Sequence, residues 1–309
     1  MTAIITITFN PAIDKSTTVQ ELIPEKKLRC TVPVFEPGGG GINVARAIHK
    51  LGGHAMAAYL AGGYTGKAFT QLLISEGISS IVSEIGDSTR ENLVVFENSS
   101  AHQYRFVMPG PLVQTDECMA CLNSIKKIPD IGYIVVSGSM PEGVPQDIFA
   151  LISGISKAKN ARLVVDTSGD TLKQAVSSGV YLIKPNLREL SSLAGQEQVD
   201  AAQAVDIARG VIMNGTCEVI ALSMGEKGAI LITRDTAISI VPPRVQIKST
   251  VGAGDSMLAG IVYSLSLGKS LIEAGRYGVA CGTAATLNPG TELCRKEDAD
   301  RLYELITLS

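Results

Sequence analysis

Residues 248–260 read KSTVGAGDSMLAG. Gly252 and Gly254 flank one small Ala253, a single carboxylate follows at Asp255, and an apolar run begins at once. Glycine lets a backbone approach a ligand closely and adopt left-handed turns. At the entry of a helix, such a stretch leaves first-turn N–H groups without intrahelical partners, at the positive end of the helix dipole. That combination makes an anion site. A carboxylate beside it repels the anion, unless its task is to take a proton from an attacking hydroxyl, as phosphoryl transfer requires. The same residues also fit a plain Asp N-cap after a glycine-rich turn, and the stretch alone leaves both readings open. A P-loop is excluded. Gly-x-x-x-x-Gly-Lys needs a glycine where the GKS at 268–270 has Tyr263 and the GKA at 66–68 has Ala61.

Outward from this stretch, short apolar runs rich in β-branched residues recur: AIITITF (3–9), YIVVSG (133–138), RLVVDTS (162–168), VYLIKPN (180–186) and EVIALS (218–223). Amphipathic segments at 145–158, 170–178 and 200–213 lie between them. Buried strands alternating with helices predict βαβ units, a mostly parallel sheet and an α/β doubly wound αβα sandwich. Ligands gather at the carboxyl ends of such strands, where Asn10, Asp14, Gly138, Ser139, Asp166, Lys184, Asn186, Ser223 and Gly225 fall. Residues 15–35 and 88–108 instead alternate apolar and polar positions, as in CTVPVF, NLVVFE and QYRFVM. Period-2 alternation predicts strands with one exposed face. These two segments are expected to form a small inserted β-sheet lid on a single domain spanning 1–309.

The chain has 309 residues, 45% of them hydrophobic, and a net charge of −3 without a block of like charges. That balance argues against a nucleic-acid or membrane partner. The start, MTAIITITFNPAIDK, lacks a basic leader and reads as a strand. No uncharged apolar run reaches the roughly 18 residues of a bilayer span, so a cytoplasmic protein is expected. Six cysteines are scattered at 30, 118, 121, 217, 281 and 294. The lone C-x-x-C of Cys118 and Cys121 has no second pair to complete a zinc site, and reads as buried or half-buried helix thiols. His49, His54 and His102 are expected on the surface or lid.

Three further constellations carry chemistry. FEPGGGGINVARAIHKLGG (35–53) runs four glycines into a helix, with Asn43, Ala47 and Lys50 on one face and Ile42, Ala45, Ile48 and Leu51 free to pack. It reads as a polyol site at a helix entry or as a flexible hinge loop. In LIKPNLREL (182–190), Asn186 and Glu189 stand three apart. They either face one site from a first helical turn or close a capping box. Lys27, Arg90 and Arg105 fit phosphate ligands, Arg with its bidentate fork, or solvated surface charges.

Four motifs arrive in one order: FNPAID, PGGGGINVARA, KPN with Glu189 three on, and STVGAGDS. Together they resemble the phosphofructokinase B branch of the ribokinase-like carbohydrate kinases, and within it the members that use fructose 6-phosphate. The likeness runs from residue 4 to about 305. It implies a ribokinase-like fold whose β lid closes over a sugar and forms a homodimer contact. It implies transfer of the ATP γ-phosphoryl group, with Mg²⁺, to the 1-hydroxyl of fructose 6-phosphate.

By the same resemblance, Asp255 is the base and Gly252, Ala253 and Gly254 form the anion hole. Asp14, Gly38, Gly39 and Asn43 hold the sugar, with Lys27, Arg90, Arg105 and Ser139 around it or its phosphate. Lys184, Asn186, Glu189, Ser223, Gly225, Gly228, Thr250, Val251, Val279 and Thr283 face the nucleotide, Glu189 reaching Mg²⁺ indirectly. Ser249, Val251, Ala285, Asn288 and Gly290 match a site for a monovalent cation, K⁺. Related sugar-1-phosphate and tagatose-phosphate kinases carry a lysine where this chain has Gly40, and relatives have a basic residue where it has Glu292. Two rivals remain: a kinase for tagatose 6-phosphate or fructose 1-phosphate, and a non-catalytic sugar-phosphate sensor.

Overall fold

The structure is a computed structural model that describes residues 2–196, 199–200, 202–214 and 217–308. The chain opens with β1 (Ala3–Thr8), β2 (Ala12–Val19), β3 (Val34–Gly38), α1 (Gly40–Lys50), β4 (Ala55–Gly62), α2 (Gly63–Ser75) and β5 (Ser79–Ile85). Next come β6 (Arg90–Glu97), β7 (His102–Phe106), α3 (Thr115–Lys126), β8 (Ile131–Ser137), α4 (Ile148–Ala158), β9 (Arg162–Asp166), α5 (Gly169–Ser177) and β10 (Val180–Ile183). It closes with α6 (Leu187–Leu193), α7 (Ala204–Met213), β11 (Cys217–Ser223), β12 (Ala229–Ile232), β13 (Ala237–Val241), α8 (Ala253–Ser266), α9 (Leu271–Thr286), α10 (Lys296–Tyr303) and β14 (Thr307–Leu308).

The larger sheet has the order β14-β13-β12-β11-β10-β9-β8-β1-β4-β5. From β5 to β11 every pair is parallel, and the three strands beyond β11 join antiparallel. Its central strands bury both faces, which explains their unbroken apolar runs. Ile4, Tyr59 and Val135 point into a core shared with α1, α2, α8, α9 and α10. Ile5, Leu60 and Val136 point into the opposite core, against α3 to α7. This is the doubly wound αβα sandwich that the alternating pattern predicts. The strand order turns around β1, whose neighbours are β8 and β4, and a cleft is expected at the carboxyl ends there.

A second, four-stranded sheet, β3-β2-β6-β7, stands over those ends. β2 pairs antiparallel with β3 and parallel with β6, and β6 pairs antiparallel with β7. The sequence places strand pattern at 30–35, but residues 30–33 are outside any strand. Pro33 has no N–H to give a ladder, and Val32 is 90% exposed.

The C-x-x-C pair lies on α3 with both sulfurs buried. Burial pushes the Cys118 thiol up to about 12 and the Cys121 thiol up to about 11. No cluster of three or more His, Cys, Asp or Glu side chains suited to a metal occurs among the described residues. His49, His54 and His102 are exposed. Among the described residues, no helix is long and apolar enough to cross a membrane.

Candidate active site

A cleft of about 390 Å³ opens between the two sheets. From the second sheet it is lined by Asp14, Glu36 and Arg105, from α1 by Asn43 and Arg46, and from the ends of β9 and β10 by Asp166 and Lys184. Asn186, Glu189, Thr250, Val251, Gly252, Gly254, Asp255 and Thr291 complete it.

The VGAGD stretch behaves as its composition dictates. Gly252 is the N-cap of α8 in a left-handed conformation, φ 73°, which only glycine adopts freely. The Ala253 N–H turns back to the Thr250 carbonyl at a long 3.4 Å. The Gly252, Gly254 and Asp255 N–H groups meet no acceptor among the described residues. Those three amides, together with the dipole of a 14-residue helix, suit an anion. The Ala253 N–H, expected beside Gly252 and Gly254 in an anion hole, departs from that expectation because it is turned onto Thr250, and the Asp255 N–H is open instead.

Asp255 sits in the first turn of α8, and its Oδ2 accepts from Asn43 Nδ2 at 2.9 Å. Burial, reinforced by the nearby Asp166 carboxylate, pushes its pKa up to about 7, while Asn43 and Lys184 pull the other way. Lys184 is buried, and its Nζ lies 3.2 Å from Asp166 Oδ2. Burial alone would lower the lysine; Asp166, Asp255 and Glu189 more than reverse this, so it stays a cation. A side chain on Gly254 would begin only 3.3 Å from this ammonium, so the first turn of α8 and the lysine meet at Gly254.

Asn186 and Glu189 do both things their spacing allows. Asn186 Oδ1 accepts from the Glu189 N–H at 2.9 Å, and a Glu189 carboxylate oxygen accepts from the Asn186 N–H at 2.8 Å, closing a capping box on α6. Both also line the cleft. Burial raises the Glu189 pKa, opposed by the Asn186 amide.

At the other end, burial raises the Asp14 pKa, while the Asn92 hydrogen bond, Arg105 and Arg90 lower it. A side chain on Gly38 would collide with Asp14 Oδ2, and one on Gly40 with Ser137 Oγ. The Gly39 carbonyl accepts the Asn43 N–H at 2.8 Å.

Other residues singled out by the sequence lie around the cleft rather than on its walls. Arg90 donates to the carbonyls of Met108 and Asn10, both at 3.1 Å. Ser139 is exposed and accepts from Asn10 Nδ2 at 3.1 Å. Lys27 is exposed on the 20–33 loop. Ser223 donates to the Pro185 carbonyl from both its N–H and its hydroxyl and bridges Asn186, while Gly225 and Gly228 follow in the next turn. On α9, Val279 is buried and the Thr283 hydroxyl donates to its carbonyl at 2.7 Å.

The 248–251 and 285–293 segments meet. Ser249 Oγ donates to the Gly290 carbonyl at 2.6 Å and accepts the Val251 N–H at 3.2 Å. The Ala285 carbonyl accepts the Asn288 N–H at 3.1 Å. Glu292 forms a two-point pair with Arg295 at 2.8 and 3.0 Å.

Glu36, Arg46 and Thr291 have no assigned role in the sequence reading. They separate the cleft from a neighbouring cavity of about 740 Å³. Arg46 is buried and grips Glu76 with two bonds of 2.6 and 2.7 Å, the Pro37 carbonyl at 3.0 Å and Glu36 at 3.5 Å. Glu36 in turn accepts from the Thr291 hydroxyl.

A model of the pfkB family carbohydrate kinases matches residues 5–298. The chain belongs to that family. Among pfkB-family relatives, the ATP-dependent 6-phosphofructokinase isozyme 2 of Escherichia coli strain K12 is 41% identical over 308 residues, covering 99% of this chain and 100% of that protein. The Mycobacterium tuberculosis protein of the same name (strain H37Rv) is 42% identical over 303 residues, covering 98% and 89%. The crystal structure of E. coli phosphofructokinase-2 in complex with potassium superposes with a TM-score of 0.95 at 41% identity, covering 99% of both chains. The ribokinase-like fold expected from the motifs is therefore the fold of this pfkB-family chain.

Proposed function

We propose that the chain is an ATP-dependent 6-phosphofructokinase, which moves the γ-phosphoryl group of ATP to the 1-hydroxyl of fructose 6-phosphate and gives fructose 1,6-bisphosphate. The observation that carries the reading is one convergence: Asp255, with a pKa near neutrality, beside a buried lysine and three amides without a partner among the described residues. Two relatives of about this length, 41% and 42% identical and bearing that enzyme's name, support the choice of acceptor.

In this reading Asp255 accepts the proton of the attacking hydroxyl. A base whose pKa lies near the working pH suits that task. The amides at the mouth of α8 and the Lys184 ammonium stabilise charge on the migrating phosphoryl group, in a site poor in water. Asp14, Gly38, Gly39 and Asn43 hold the sugar, and Lys27, Arg90, Arg105 and Ser139 surround it or its 6-phosphate. The nucleotide side belongs to Lys184, Asn186, Glu189, Thr250 and Val251, with Ser223, Gly225, Gly228, Val279 and Thr283 further out.

The carboxylates of Asp166 and Glu189 beside Lys184 suit a hard, oxygen-seeking cation carried by the nucleotide. Mg²⁺, when bound, neutralises phosphate charge, with Glu189 acting through water. Ser249 and Gly290 bring two oxygens together, and with the carbonyls of Val251, Ala285 and Asn288 they are assigned to K⁺, an ion that carbonyl oxygens coordinate. The second sheet acts as a lid on a single domain, and its closure keeps water from competing with the sugar hydroxyl. The outer apolar residues Phe35, Phe96, Tyr104 and Phe106 support a homodimer through that lid; the cytoplasm is the location that goes with this enzyme reading.

A coupled ADP-release assay over fructose 6-phosphate, tagatose 6-phosphate and fructose 1-phosphate tests the proposal. The highest kcat/KM is expected with fructose 6-phosphate. A higher value with another ketose phosphate reassigns the acceptor, and no ADP release with any of them returns the sensor reading.

A further inference from the structure

Parallel pairing of β2 with β6 sets Asn92 directly beside Asp14. The Asn92 side chain is fixed from both ends. Its Oδ1 accepts the Met108 N–H at 3.1 Å. A backbone N–H only donates, so the amide has one orientation, and Nδ2 donates to Asp14 Oδ1 at 2.8 Å. Asp14 Oδ2 is left facing the space kept open by Gly38. The bonding continues from Met108: its carbonyl accepts Arg90, Arg90 also donates to the Asn10 carbonyl, and Asn10 Nδ2 donates to Ser139. One hydrogen-bonded path thus runs from Asp14 to Ser139, and Asn92 is its link to the carboxylate.

We infer that Asn92 is a positioning residue of the acceptor site: it occupies one oxygen of Asp14 and presents the other to a sugar hydroxyl. The inference rests on the proposed reading of Asp14 as a sugar ligand. The charged groups around Asp14 come from three strands. Arg90 on β6 and Arg105 on β7 favour its ionised form, and Glu36, opposite it on β3, opposes that form. With Glu36 already present, a second carboxylate at position 92 would leave Asp14 flanked by two like charges. Asp14 and the introduced carboxylate would then share a proton.

The test is steady-state kinetics of the full chain between about pH 6 and pH 8, with fructose 6-phosphate and ATP varied in turn. Asn92→Asp keeps the acceptor for Met108 and loses the donor to Asp14. At about pH 8 it should raise the fructose 6-phosphate KM about tenfold and leave the ATP KM unaltered. The excess should shrink toward pH 6, where the added carboxyl takes a proton and donates again. Asn92→Ala, tolerable at this half-buried strand position, should raise the same KM without that pH recovery. Asp14→Asn serves as the reference.

A wild-type KM for Asn92→Asp at about pH 8 overturns the inference. So do equal elevations for both variants at every pH, or a parallel rise in both KM values. If Asp14→Asn raises the acceptor KM and the Asn92 variants do not, only the inference falls. If Asp14→Asn leaves that KM unchanged, the sugar-ligand reading of Asp14 falls and takes the inference with it.

Discussion

Asn43 donates to Asp255 at 2.9 Å across 212 residues of sequence. The two side chains stand on the first turns of α1 and α8, so one hydrogen bond joins the helix after the glycine run to the helix after VGAG. A donor to a carboxylate favours its charged form, and this one holds Asp255 below where burial and Asp166 would drive it. With Asp255 as the base, wild-type kcat should rise with pH through about 7 and then level off. Asn43→Ala removes the donor, so the Asp255 pKa should go up and the rise in kcat should move to higher pH. A pH–rate profile of the variant superimposable on the wild type's would separate Asn43 from the base.

Asp255→Asn keeps the shape of the side chain and removes its basicity. The kcat should fall by roughly 10²–10⁴. ATP affinity, measured by equilibrium binding, should survive because the amides and Lys184 remain. Unchanged kcat would take Asp255 out of the chemistry.

The same substitution has a consequence for stability. Unfolded, Asp255 ionises near 3.8; folded, near about 7. Between those values the folded chain holds a proton that the unfolded chain has lost, so stability declines as pH rises through the window. Above about 7 the penalty is complete. Asp255→Asn removes it. At about pH 8 the variant should melt above the wild type, on the order of 5 °C, and the gap should close near pH 4. A less active and more stable enzyme is the expected signature of a carboxylate held in the wrong solvent for catalysis. A variant with lower Tm at pH 8 would contradict the raised pKa.

The fold and part of the site were legible in the sequence for identifiable reasons. Buried parallel strands force continuous apolar runs, and a helix entry that leaves amides free needs glycine, so residues 35–53 and 248–260 announce themselves. Partnerships between distant segments leave no such mark. Arg46 reads as an ordinary helix charge because the residue that neutralises it, Glu76, lies 30 positions away, just past the end of α2. Asp166 is visible as a polar residue at a strand end. Its pairing with Lys184 exists only because β9 and β10 lie side by side in register. Asn92 was visible only as one position in an alternating strand, since its meaning depends on the β2–β6 register. The choice at Asn186 and Glu189 was not a real alternative, because a capping box at a helix start also aims both residues at whatever lies above that helix.

Lys184 and Asp166 form a buried pair 3.2 Å apart, with side chains 8% and 15% exposed. Breaking such a pair from one side leaves an uncompensated charge, which costs about 3–5 kcal/mol. Lys184→Met strands not one but three carboxylates, since Asp255 and Glu189 also act on this lysine. It should lower the denaturant midpoint strongly and push Asp166 further up the pH scale. Adding Asp166→Asn to Lys184→Met removes the nearest stranded charge, and most of the lost stability should return. Activity should not return, because the ammonium beside Gly254 is still missing. Denaturant titration of the wild type, Lys184→Met, Asp166→Asn and the double variant gives the coupling energy, and the ATP KM gives the functional half. Additive losses of stability in the double variant would show that the two residues act independently despite their distance.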